Sequence, residues 1–142
     1  MARSLDNQSF SDAFRAGDID PAHFDHRAHL RAAICALDRL PFLEACITMR
    51  DGLRLLAARA GKPGLYHETI TVAFMALIAD RLDGRTGSTT DVDALIERHP
   101  ELLDRRLLER HYRKETLTAD NARRRFRLPD VSHAFTNDGV LA

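Results

Sequence analysis

The chain is poor in cysteine, in net charge and in long apolar runs, and each shortage excludes a class of protein. Only Cys35 and Cys46 occur in 142 residues, both inside apolar helical patterns. They make neither the disulfide framework of a small secreted domain nor a Cys-rich zinc module, and a reducing cytoplasm is the expected setting. The 21 Lys and Arg are matched by 21 Asp and Glu, so no global field recruits nucleic acid or an anionic membrane. No apolar stretch reaches the roughly 20 residues of a membrane helix. The opening MARSLDNQSF has no apolar h-region, so no secretory leader is expected. Internal repeats and strand-like alternation are missing as well.

What is present fits a single soluble globular domain over residues 1–142: 44% hydrophobic and 30% charged residues, enough to bury one core. Residues 1–21 read as a weakly amphipathic arm or lid closed off by Gly17 and Pro21. Asp25 is placed to cap a helix over residues 26–40, whose positions His26, His29, Leu30, Ala33, Ala36, Leu37 and Leu40 keep a 3.6-residue period. Pro41 ends it and suits the first turn of a second helix over 42–60, which Gly61-Lys-Pro-Gly64 stops. A third helix over 67–82 is apolar around nearly its whole circumference and belongs at the centre of the fold. Residues 83–90 form a turn or loop. A short helix follows over 91–97, then a longer one over 100–112 begun by Pro100, and a last short one at 118–123 before an irregular tail from 129 to 142. The fold class is all-α, a bundle of about five helices.

Seven histidines are present, three of them within residues 23–29. Short connections make neighbouring helices antiparallel, so the first and third long helices should run parallel with their starts together. That topology brings His26, His29 and His67 to one end of the bundle. Three imidazoles suit one divalent transition metal, Zn, Fe, Mn, Ni or Cu, and the i, i+3 spacing of His26 and His29 lets two rings reach one ion. Glu68 is then a fourth ligand or the general base beside a metal-bound water. Asp25, Asp20 or His23 would fix imidazole tautomers. His67-Glu68-Thr69-Ile70-Thr71 is not the HExxH zinc motif, because Thr71 stands where its second histidine would be. Tyr66 and Thr71 are candidates to orient substrate or water, and Arg123 a clamp for a carboxylate or phosphate. The competing reading makes the histidines half-buried structural residues, Tyr66 a buried phenol and Thr71 a hydroxyl bonded back to a helix carbonyl.

Residues 105–127 carry nine Lys or Arg against three acids. This basic surface suits an anionic small molecule or an acidic partner. Nucleic acid is disfavoured, since only Tyr112 and Phe126 interleave as stacking groups. His99, His111 and His133 read as surface histidines, and both cysteines as core thiols.

Four blocks, Phe24-Asp-His26-Arg-Ala-His29-Leu30, Tyr66-His67-Glu68-Thr69-Ile70-Thr71, Leu117-Thr-Ala-Asp-Asn-Ala-Arg123 and a closing Pro129-Asp130, resemble a group of small, poorly characterised bacterial helical proteins. Its pattern is F-x-H-x-x-H-L, Y-H-x-T-x-T, a late L-x-x-x-x-A-R and P-D. The resemblance spans about residues 24–130 and implies that the blocks belong to one domain; it supplies no chemistry. Proline-rich sequence would be expected after the Pro-Asp, whereas Val131-Ser-His-Ala-Phe135 follows here.

The leading expectation is therefore a cytoplasmic, metal-dependent enzyme acting on a small molecule, with three histidines and one open coordination position. The alternative is a non-catalytic ligand-binding, sensor or interaction module. Assembly into a homo-oligomer is compatible with either.

Overall fold

A computed structural model describes residues 6–82 and 91–131. Among them every regular element is helical, in keeping with the expected all-α bundle. The chain begins with α1 (Asn7–Ala16), opened by the Asp6 carboxylate, which accepts from the Ser9 amide at 2.7 Å, and closed by Gly17 in the left-handed region at φ 76°. Residues 7–16 of the N-terminal arm are thus helical and pack against the helices His26–Arg39 and Phe42–Arg59. Phe10 and Phe14, one turn apart, bury against the bundle. The Phe14 ring occupies a notch left by Gly52, where a Cβ would stand 2.3 Å from the ring.

A 3-10 turn at Pro21–His23 leads to α2 (His26–Arg39), capped by Asp25 through the Ala28 amide at 2.9 Å. α3 (Phe42–Arg59) follows directly after Pro41, and a second 3-10 turn at Pro63–Leu65 leads to α4 (Glu68–Leu82). As its composition demands, α4 is central: it packs against both α2 and α3, burying Phe74, Met75, Ile78 and Leu82. Leu30, Ala33, Ile34, Ala45 and Met49 supply the facing layer. Each of the Leu, Ile, Met and Phe side chains among these contributes about 1.5–3 kcal/mol through removal from water. Four large apolar side chains of the bundle, Leu43, Ile47, Leu55 and Leu103, are exposed.

Residues 83–90 lie outside the described segments. After them comes α5 (Val92–Arg98), capped by Asp91. The single helix expected over 100–112 is replaced by two 3-10 turns, Pro100–Leu103 and Leu107–Arg110. Asp104 is the reason. Its backbone is extended (φ −81°, ψ 115°) and its carboxylate accepts from the Arg106 amide at 2.9 Å, a local bond that competes with the helical ladder. The turns still bury Leu102, Leu107 and Leu108. The final part holds α6 (Lys114–Thr118) and α7 (Asp120–Arg124), parted by extended Ala119.

This last segment is fastened to the start of α4 by side chains bonding backbone. The buried Thr69 hydroxyl lies 2.7 Å from the Ala122 carbonyl and 2.9 Å from that of Arg125, and accepts from the Arg127 amide at 3.0 Å. The buried Tyr112 donates to the Arg127 carbonyl at 2.7 Å, so it is a core residue and not a stacking group on the basic surface. The Asp130 carboxylate accepts from the Thr116 hydroxyl and the Arg113 amide, and these bonds, the first foremost, hold its pKa below the usual carboxylate value. Among the described residues no helix is long and apolar enough to cross a membrane.

Candidate ligand site around His29

α2 presents His26 and His29 one turn apart, and both rings meet Phe74 of α4. The centroid distances are 5.3 Å for His26 and 5.4 Å for His29, the latter edge-on at 82°. Phe24, at the end of the preceding turn, lies 6.0 Å from His29 on another side and stacks on Phe14 at 5.5 Å. The two histidine rings are 6.3 Å apart. His29 Nε2 is shut off from water and has no hydrogen-bond partner. Burial first, and the neighbouring His26 second, push its pKa down to about 4, so the ring is neutral at pH 7.

The other two imidazoles each have a hydrogen-bond partner. His26 Nε2 lies 2.8 Å from the Leu102 carbonyl, and since a carbonyl only accepts, this nitrogen carries the proton. His67 is buried with both nitrogens engaged: Nε2 donates to the Leu117 carbonyl at 2.7 Å, and Nδ1 accepts from the Ile70 amide at 3.1 Å. That pairing fixes a neutral tautomer with no lone pair to spare. His26 and His29 stand against Phe74, seven residues beyond His67 in the chain, while His29 and His67 share the wall of one cavity. Among the described residues no three His, Cys, Asp or Glu side chains are grouped to hold a metal ion.

The remaining candidates have partners too. Tyr66 donates to the Glu68 carboxylate at 2.6 Å; burial and that bond push its phenol pKa up. The Arg54 guanidinium stands over the Tyr66 ring, 5.0 Å from its centroid. Thr71 donates to the His67 carbonyl at 2.8 Å, a bond back along its own helix. Arg123 donates to the Gly64 and Leu65 carbonyls at 2.8 and 3.3 Å, fastening α7 to the turn before α4. Asp20 and Asp25 cap backbone amides, at Ala22 and Ala28. Burial, with Glu68 adding, pushes the Cys46 thiol up to about 11, far from a reactive thiolate. His99 Nδ1 is 3.6 Å from Glu101, while His133 lies outside the described residues.

Two cavities meet at His29. One, of about 310 Å³, is walled by His26 and Phe74 and carries Asp25, Asp104 and Arg105. The other, of about 350 Å³, extends toward Leu53, Leu56, Leu65 and Tyr66. Phe24, His29 and Ile70 belong to both walls. Sequence reasoning missed the aromatic walls: Phe74 reads as ordinary core in the most apolar helix, and Phe24 carried a signal only through its place in the first block. A more polar cavity of about 470 Å³ opens on another part of the surface, between Arg27, Arg31, Asp91 and Asp93.

In comparisons with known proteins, no family model, no curated protein and no solved structure matches this chain.

Proposed function

We propose that this protein binds a small organic molecule in the paired cavities at His29. One observation carries the reading: a neutral imidazole whose Nε2 is buried without a partner, set in the wall between two spaces, of which the one toward Leu65 is lined mostly by hydrocarbon. Leaving such a group unpaired costs about 1–3 kcal/mol, which a ligand's polar atom would return. The cavity volumes fall at the lower end of small-molecule sites, and a mostly hydrocarbon lining with few polar groups is their usual composition. His67, Thr71 and Arg123 act as structural residues that hold the wall in place.

A second reading, the metal-dependent enzyme, rests on the same free nitrogen beside His26. The residues fit it incompletely. His67 would have to give up Leu117 and Ile70, and Glu68 would have to leave Tyr66 before serving as a base. The test treats untagged protein with a fragment library and, separately, with Zn(II), Mn(II), Fe(II), Ni(II) and Cu(II), following the His29, Phe24 and Phe74 resonances by NMR. Organic fragments shifting all three support the first reading. Stoichiometric metal binding lost in His67→Ala, with no fragment binding, overturns it in favour of the second.

A further inference from the structure

The cavity toward Leu65 has four polar side chains in its wall, His29, Tyr66, His67 and Thr71, and the last three have partners inside the protein. His29 alone keeps an unpartnered nitrogen. The rest of the wall is hydrocarbon, from residues such as Leu53, Leu56, Ala57 and Ile70, and it includes no Lys, Arg, Asp or Glu. A ligand ion there would lose its hydration with no countercharge to replace it, at a large cost. A ligand with several polar groups would find partners for only one.

We infer that the ligand, on the binding reading above, is an uncharged ring-sized apolar molecule bearing one hydroxyl, with His29 as that hydroxyl's partner. A hydroxyl both donates and accepts, so it suits Nε2 in either imidazole tautomer, whereas a carbonyl or an ether suits only one. Size follows from volume. An engineered apolar cavity of about 150 Å³ takes benzene; about 350 Å³ here leaves room for a fused bicycle. Phe24, with its ring 6.0 Å from that of His29, is half-buried, walls both cavities and sits on irregular backbone (φ −95°, ψ 79°) just after the Pro21–His23 turn. Because Nε2 is covered in this structure, binding through it requires a local shift of the rings around it. The exposed Leu65 belongs to the same wall.

The experiment titrates 2-naphthol, naphthalene and 2-naphthoate into the full chain at pH 7, with wild type, His29→Leu and His29→Gln compared by NMR. Wild type should bind 2-naphthol roughly fivefold more tightly than naphthalene, the worth of one neutral hydrogen bond, and 2-naphthoate most weakly. The preference should vanish in His29→Leu and return in part in His29→Gln. Equal binding of 2-naphthol and naphthalene by wild type overturns the hydroxyl assignment while leaving the cavity a binding site. Tightest binding of 2-naphthoate overturns it in favour of an anionic ligand. If none of the three binds, both the assignment and the binding reading fail. Should His29→Leu not fold, the wild-type order of the three probes decides alone.

Discussion

His67 on the threshold of α4 and Leu117 in α6, fifty residues apart, are joined by a 2.7 Å hydrogen bond from imidazole Nε2 to the backbone carbonyl. Because the Ile70 amide holds the other nitrogen, this imidazole works as a two-ended strut. Its removal leaves a carbonyl and an amide without partners. His67→Ala should lower stability by about 2–4 kcal/mol, measured by urea unfolding, and should speed proteolysis within residues 112–131. A chelator should leave the wild-type melting temperature unchanged.

Thr69 should be as sensitive to a smaller change. Thr69→Val keeps the shape and removes the hydroxyl that meets Ala122, Arg125 and Arg127, at a cost of about 1–3 kcal/mol. Thr69→Ser should recover most of it. Equal stabilities of the valine and serine variants would show that the hydroxyl contributes nothing.

His29 gives the fold a pH dependence of definite sign. Its folded pKa, about 4, lies below the ordinary value of 6.5, so the unfolded chain binds the proton first as pH falls. Stability from this residue is complete above about pH 6.5 and declines from there through pH 4, by on the order of 3 kcal/mol over the window. His29→Leu should flatten that part of the curve. NMR titration of the His29 ring checks the pKa directly, and a midpoint near 6.5 would contradict the buried geometry.

Gly52 should tolerate no side chain while Phe14 is present. Gly52→Ala drives a methyl into the Phe14 ring at 2.3 Å and should destabilise by about 1–3 kcal/mol. Phe14→Leu in the same chain should relieve part of the penalty, so the two changes will not be additive in a double-mutant cycle.

The long helices were legible because Asp25, Pro41 and the Gly61–Gly64 run mark their ends and the apolar period marks their faces. α1 was not, since its hold on the bundle rests on Phe10 and Phe14 and on a glycine far along the chain, a relationship no local pattern carries. The helix expected over 100–112 failed for the opposite reason: its apolar spacing is present, but the Asp104 side chain outbids the helical ladder. At the site, His29 and His67 line one cavity, and both imidazoles of α2 also stand against Phe74, a contact that spacing within each helix does not determine. Nor does sequence show which histidines have found partners, and that distinction separates His29 from His26 and His67.

The fastening of α4 also orders events during synthesis. When the ribosome has delivered α1 to α4, the hydrophobic layer is largely assembled, yet the side chains of His67 and Thr69 still lack the backbone groups they bond. Their bonds close only once residues 117–127 have emerged. A chain truncated after residue 100 should therefore be compact but loose at the start of α4, and the last twenty-odd described residues act as the clasp that finishes the fold.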